Sequence, residues 1–194
     1  MSFTIEIPTL NKPTQSINRV SVVKLLLMGP ANAGKTVFGK KLEEAFNGVK
    51  KKHTSKLNSI CGSYLPTPGI DFYRISLQDS PSYVLWELGG QTHYQPLWSL
   101  WWKGAKGALV VIDSVVIDSA SYLAKVQEIV EAIRGTLTLP FVICFNKLDL
   151  SKCITTALEK LSEQLGVAEE KIIPTCAVTG LNVRNALYCL LEII

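Results

Sequence analysis

The chain has 194 residues, 47% of them hydrophobic and 19% charged, with a formal net charge of +4. That length builds one sizeable core at ordinary soluble composition. No apolar run reaches membrane-spanning length, and the first residues do not form a charged-then-apolar signal.

The positive charge is concentrated. Residues 35–56 hold seven lysines against two glutamates, a local +5 that leaves about −1 for everything else. Without interleaved aromatics this stretch reads as a solvated loop rather than a nucleic-acid face, with a weak pull towards an anionic membrane surface. The five cysteines are odd in number and never spaced C-x-x-C, which fits structural thiols in a reducing cytosol.

In chain order, residues 1–19 make an N-terminal arm or tail. Pro8 and Pro13 forbid one continuous amphipathic helix there, while residues 3–7 alternate as a short strand would; an ordered arm and a loose tail both remain open. Residues 20–28 read as a largely buried strand. Then comes Gly29-Pro30-Ala31-Asn32-Ala33-Gly34-Lys35-Thr36, the pattern G-x-x-x-x-G-K-[ST], and residues 35–46 follow with apolar side chains at helical spacing. A strand that turns on glycine into a helix aims N–H groups and the positive end of the helix dipole at one point. Gly29, Ala31, Asn32, Ala33 and Gly34 therefore form an anion site for nucleotide phosphates. Lys35 supplies a mobile cation for β- and γ-phosphates, and the Thr36 hydroxyl a hard oxygen ligand for Mg²⁺.

Residues 47–66 are a long polar and basic loop, leading into Pro66-Thr67-Pro68-Gly69, which cannot be helical. Residues 72–77 and 83–88 alternate as two strands of an antiparallel hairpin, with a turn over 78–82. After Gly89-Gly90-Gln91 a tryptophan-rich helix is expected over 94–106, then a buried strand over 107–113. A helix over 119–135 should stop at Gly135. A core strand over 141–145, a helix over 154–165, a last strand over 171–176 and a closing helix over 181–194 complete the chain. This alternation predicts an α/β fold: a mostly parallel sheet with one antiparallel hairpin strand, helices on both faces, and ligands at the strands' carboxyl ends.

Asn146-Lys147-Leu148-Asp149 follows a core strand and so falls on the same edge as the phosphate loop. A carboxylate there accepts from both N1–H and the 2-amino group of guanine, a donor pair adenine lacks. The Lys147 stem can lie across the ring, and Asn146 can tie neighbouring loops together. Thr175-Cys176-Ala177, after the last strand, is the natural place for a backbone N–H to meet guanine O6. Asp113 ends a strand beside this edge and reads as the cap of the following turn. His53 and His93 stand alone, without ligand-spaced partners, and read as surface residues.

Residues 29–36, Thr67, Trp86-Glu87-x-Gly89-Gly90-Gln91, Asn146-Lys147-x-Asp149 and Cys176-Ala177 together resemble the motifs of small GTPases, which are P-loop NTPases. Gly90-Gln91 followed by Pro96-Leu97-Trp98 and Trp101-Trp102 resembles the Arf and Arf-like family in particular, over residues 20–194. The resemblance implies a GTPase domain over that range, binding GTP or GDP with Mg²⁺. Thr67 would close on Mg²⁺ and the γ-phosphate, the Gly90 N–H would sense that phosphate, and Gln91 would orient the attacking water. The implied metal set is Thr36, Thr67 and Glu87; the implied catalytic pair is Lys35 and Gln91. The family's hydrophobic partner surface would match Ile70, Trp86, Trp98 and Trp101, although core packing explains Trp86 and Trp98 equally well. An exchange factor and an activating protein are implied as partners. So is a cytoplasmic location, peripheral to an internal membrane or a cilium.

The chain departs from the family pattern at four places. Glu87 stands where Asp is usual, and either addresses the metal or faces solvent beside a lysine. The loop between Thr36 and Thr67 is long. Ser2 and the prolines replace the myristoylated amphipathic N-terminus, and Ala31 stands where Asp or Gly is common. The expected activity is a GTP-binding switch that hydrolyses slowly and recruits effectors in its GTP state. The alternative is a GTP-loaded scaffold that never hydrolyses; a phosphotransferase would leave Asn146-Lys147-x-Asp149 unexplained.

Overall fold

The computed structural model describes residues 22–47, 69–77, 81–91, 94–151 and 154–194. The expected arm, most of the long basic loop with His53 and Thr67, the centre of the 78–82 turn and His93 lie outside the described residues.

Six strands form one sheet: β1 (Val22–Met28), β2 (Ile70–Ile75), β3 (Ser82–Leu88), β4 (Ala105–Asp113), β5 (Phe141–Asn146) and β6 (Ile172–Pro174). Their spatial order is β2-β3-β1-β4-β5-β6, with every neighbouring pair parallel except β2–β3. The central strands are near-continuous apolar runs, as strands covered on both faces must be. β2, at the edge, alternates instead, with Tyr73 and Ile75 inward and Phe72 and Arg74 outward.

One sheet face packs on α1 (Lys35–Asn47) and α5 (Val183–Leu191), whose Phe38, Leu42, Ala186, Leu187 and Leu190 bury against Leu25, Leu27, Leu109 and Val142. The other face packs on α2 (Gln95–Trp101), α3 (Ala120–Ala132) and α4 (Ile154–Leu165), through Trp98, Val126, Ile129, Leu161 and Leu165. Strand order reverses at β1, between β3 and β4, so the crevice at the carboxyl ends opens beside the loop that follows β1.

Several boundaries differ from the sequence reading. The tryptophan-rich helix ends at Trp101 rather than at 106, because the Lys24 ammonium takes up the carbonyls of Trp101 and Lys103 and Gly104 turns the chain at φ +80. β4 accordingly starts two residues early. Gly135 does not stop the third helix; residues 133–137 widen into a π-turn that ends at Thr138 in the left-handed region, φ +48. Arg134, on that turn, donates to the carbonyls of Leu165 and Gly166 at 2.8 and 2.6 Å and so caps α4. β2 is shifted towards the N-terminus, because Ile70 and Asp71 pair with Leu88 and Glu87. β6 is only three residues long, and Leu181 is drawn into a bridge with Cys176, so α5 starts at Val183.

Candidate functional site

The loops leaving β1, β3, β5 and β6 surround one cleft of about 620 Å³. Ala31, Asn32, Gly34, Lys35 and Thr36 form one wall, Glu87, Gly90 and Gln91 a second, and Asn146, Lys147, Asp149 and Ala177 the far end. Gly29, Ala33 and Cys176 stand behind these walls rather than in them.

At the phosphate-loop end, Lys35 is buried and folds back on the loop, donating to the carbonyls of Gly29 at 3.0 Å and Pro30 at 2.8 Å. Burial pulls its ammonium down to about 8, against the raising effect of the Glu87 carboxylate. Gly90 lies hard against this loop. A Cβ there would stand 2.5 Å from both the Gly29 oxygen and Lys35 Nζ, so only glycine lets the two loops meet.

Glu87 does not face solvent: it is 1% exposed. Its Oε1 accepts from Thr36 Oγ1 at 2.7 Å and its Oε2 from Tyr73 Oη at 2.5 Å. Burial first, then the Glu87 charge, pushes the Tyr73 phenol far above its ordinary value, so it is held as a donor. A hydroxyl and a carboxylate 2.7 Å apart are hard-oxygen donors, and Mg²⁺ takes one or two such protein oxygens alongside phosphates and waters. The corner fits that ion. Thr67, the third residue of the implied metal set, lies outside the described residues.

At the far end, Asn146 is 1% exposed and bridges two loops: Nδ2 donates to the Ala33 carbonyl at 3.0 Å and Oδ1 accepts from the Ala177 N–H at 2.9 Å. The Ala177 N–H is thus held by Asn146, and Ala177 itself lines the cleft. The Cys176 thiol stands behind the wall and donates to Asp149 Oδ1 at 3.2 Å, supporting that carboxylate. Lys147, at φ +68, pairs with Asp113 Oδ2 at 2.6 Å. Asp113 Oδ1 accepts from the Val115 N–H at 2.9 Å, the turn cap read from the sequence.

The hydrophobic surface divides. Trp98 is 5% exposed, with its indole N–H on the Gly89 carbonyl at 3.4 Å. It is a core residue, and its place on a partner surface is withdrawn. Ile70, Trp86 and Trp101 are half-buried. Trp86 lies between the Phe72 ring, 4.8 Å away edge-on, and the Lys24 ammonium, 3.4 Å above its ring centre.

Three residues escaped the sequence reading: Tyr73, Asp113 as the partner of Lys147, and Lys24. Tyr73 had a usable signal. It is a polar-tipped aromatic on the inward register of an alternating strand, and a buried phenol needs an acceptor. Lys24 is likewise the one charge within an otherwise apolar strand.

A glycine turn from a central strand into a helix, sharing a cleft with an Asn-Lys-x-Asp loop at the same sheet edge, defines a P-loop nucleotide-binding protein. The chain belongs to the ADP-ribosylation factor (Arf) family, whose model matches residues 11–194. It is 26% identical over 169 residues to human ADP-ribosylation factor-related protein 1, covering 84% of this chain and 80% of that protein. With ADP-ribosylation factor-like protein 3 of Saccharomyces cerevisiae it shares 24% identity over 178 residues, 88% and 84% of the two chains. With human ADP-ribosylation factor-like protein 4C the identity is 27% over 195 residues, 93% and 91% of the two. Family membership makes it a GTP-binding switch protein of a family that binds GTP, GDP and Mg²⁺.

Proposed function

We propose that this chain cycles between GTP and GDP, hydrolyses GTP slowly by itself, and binds effectors in the GTP state. The observation that carries this reading is the single cleft onto which the phosphate loop, the Thr36–Glu87 corner, Gln91 and the Asn146–Asp149 end all open.

Catalysis in such a site is positioning and charge neutralisation. Lys35 swings from the Gly29 and Pro30 carbonyls to the β- and γ-phosphates. Gly90 presents its N–H to the γ-phosphate, Gln91 orients the attacking water, and Asp149 accepts from the guanine edge. Mg²⁺, when bound, neutralises charge on the β- and γ-phosphate oxygens, held by Thr36, Glu87 and Thr67. Loss of the γ-phosphate releases the contacts of Thr67 and Gly90 and frees their loops. The effector surface is assigned to Ile70, Trp86 and Trp101, joined by Phe72, which is 44% exposed beside Trp86. An exchange factor and an activating protein complete the cycle.

The scaffold alternative has one observation in its favour: both Glu87 oxygens already accept protein hydrogen bonds. The two readings part on the Gln91→Leu variant. Single-turnover phosphate release, with and without cell extract, should be slower in the variant at unchanged GTP affinity. Wild type and variant equally inert under both conditions would establish the scaffold.

A further inference from the structure

We propose that Tyr73 is a positioning residue for the Mg²⁺ corner: its hydroxyl anchors the distal oxygen of Glu87 and so holds this longer carboxylate at the place where Thr36 and a metal can share it. The proposal rests on the GTP-switch reading and adds to it a residue from β2.

The geometry behind it is specific. Glutamate carries one methylene more than aspartate, about 1.5 Å of extra reach by one C–C bond. A longer carboxylate needs a second point of attachment if it is to keep one orientation. Tyr73 provides that point, donating to Oε2 at 2.5 Å while Thr36 holds Oε1 at 2.7 Å, so both ends of the carboxylate are fixed by protein hydroxyls. Tyr73 reaches it from the inward register of β2, where Asp71 pairs with Glu87 and Tyr73 with Leu85 across an antiparallel ladder.

The neighbouring helix makes room for the ring at Gly39. A Cβ on Gly39 would stand 2.3 Å from Tyr73 Cε2, closer than side-chain atoms approach, so a glycine in the interior of α1 makes space for this ring. Gly39, Tyr73, Glu87 and Thr36 thus form one continuous set running from α1 through β2 to the metal corner. The same set ties β2, the strand that follows the Thr67 loop, to the carboxylate of the metal site.

The test uses the full-length chain loaded with a fluorescent GDP analogue, with Mg²⁺ as the titrant. For wild type, Tyr73→Phe, Glu87→Asp and the double variant, the Mg²⁺ concentration that half-slows analogue release is measured, together with the release rate in EDTA. Tyr73→Phe should raise the half-point about 10-fold, the scale of losing a hydrogen-bonded support behind a metal ligand, while leaving the EDTA rate at the wild-type value. A merely structural tyrosine would move the EDTA rate or neither quantity. In the Glu87→Asp background the shorter carboxylate is out of the phenol's reach, so adding Tyr73→Phe should no longer raise the half-point.

Superimposable wild-type and Tyr73→Phe titrations would overturn the proposal. A second measurement avoids dependence on the folding of Tyr73→Phe: 3-fluorotyrosine at position 73 should give a ¹⁹F resonance that shifts when Mg²⁺ saturates the GDP-bound protein, and an unmoved resonance counts against the anchor. Failure of the switch reading has a different signature. Wild-type release that ignores Mg²⁺, or no retention of the GDP analogue at all, would remove the metal corner itself.

Discussion

Asn146 Nδ2 donates to the Ala33 carbonyl at 3.0 Å across a sequence separation of 113 residues, so one amide on β5 fixes the phosphate loop that follows β1. Its Oδ1 holds the Ala177 N–H at 2.9 Å, which adds the loop after β6. Asn146→Ala leaves two buried backbone groups without this partner, at about 1–3 kcal/mol each. Urea unfolding of the nucleotide-free variant should register a loss of that order, and GDP binding should weaken at the phosphate and base ends together. An unchanged urea midpoint would mean that the two loops hold their places without Asn146.

The proposed function assigns base selectivity to Asp149, whose Oδ1 is supported by the Cys176 thiol at 3.2 Å. Asp149→Asn exchanges one acceptor for a donor, and should disfavour guanine while favouring xanthine, whose position 2 carries an oxygen. Competition between GDP and XDP on wild type and variant checks this. Equal wild-type affinity for ATP and GTP would overturn the guanine assignment outright.

Legibility in the sequence follows the range of the interactions involved. The order of strands and helices could be read because buried strands are apolar runs and helices repeat at 3.6 residues. The loops at the carboxyl edge could be placed because each follows a strand directly. Boundaries failed where a distant side chain decides them. Lys24 on β1 ends α2 by binding the Trp101 carbonyl and that of Lys103 just beyond it, and Arg134 caps α4 from the end of α3. Trp98 was ambiguous because an indole suits a core and an interface alike; only the packed sheet resolves it. The Tyr73–Glu87 contact was not read because strand ranges alone do not say which face of β2 is buried; the observed ladder, which sets Tyr73 opposite Leu85, puts its ring on the same face as Glu87.

Lys35 should make nucleotide binding sensitive to pH on the alkaline side. Burial lowers its pKa from 10.5 to about 8 in the folded protein, so between these values the unfolded chain holds a proton the native site has lost. With fewer protons bound natively, this group's contribution to stability rises as pH climbs through that window. Binding has the opposite sign. Phosphates favour the charged ammonium and raise its pKa again, so above pH 8 or so binding takes up on the order of one proton. Calorimetry of GDP binding in EDTA, at about pH 9 in two buffers of different ionisation enthalpy, should reveal this uptake, and affinity should fall from pH 7 to 9. No uptake at the higher pH would mean that Lys35 keeps its proton in the empty site.

Glu87→Asp separates the two roles of this carboxylate. By itself an aspartate suits a water-mediated contact to octahedral Mg²⁺, where little displacement is tolerated. The sequence alone suggests that the change should leave the nucleotide-free protein as stable as before. The Tyr73 contact reverses that expectation. Retracting the carboxylate by about 1.5 Å takes it out of hydrogen-bonding reach of Tyr73 Oη, now 2.5 Å away. The phenol belongs to a residue only 2% exposed, and leaving it without its acceptor costs about 1–3 kcal/mol. For a domain of this length that corresponds to roughly 2–12 °C in melting temperature. A thermal melt of nucleotide-free protein in EDTA should therefore fall by several degrees for Glu87→Asp. Adding Tyr73→Phe, which removes the orphaned hydroxyl, should recover most of the loss, because the two changes act on one contact and do not add. Equal melting temperatures for wild type and Glu87→Asp would mean that the Tyr73 hydroxyl finds another acceptor, and that the contact between β2 and the metal corner contributes nothing to holding the fold.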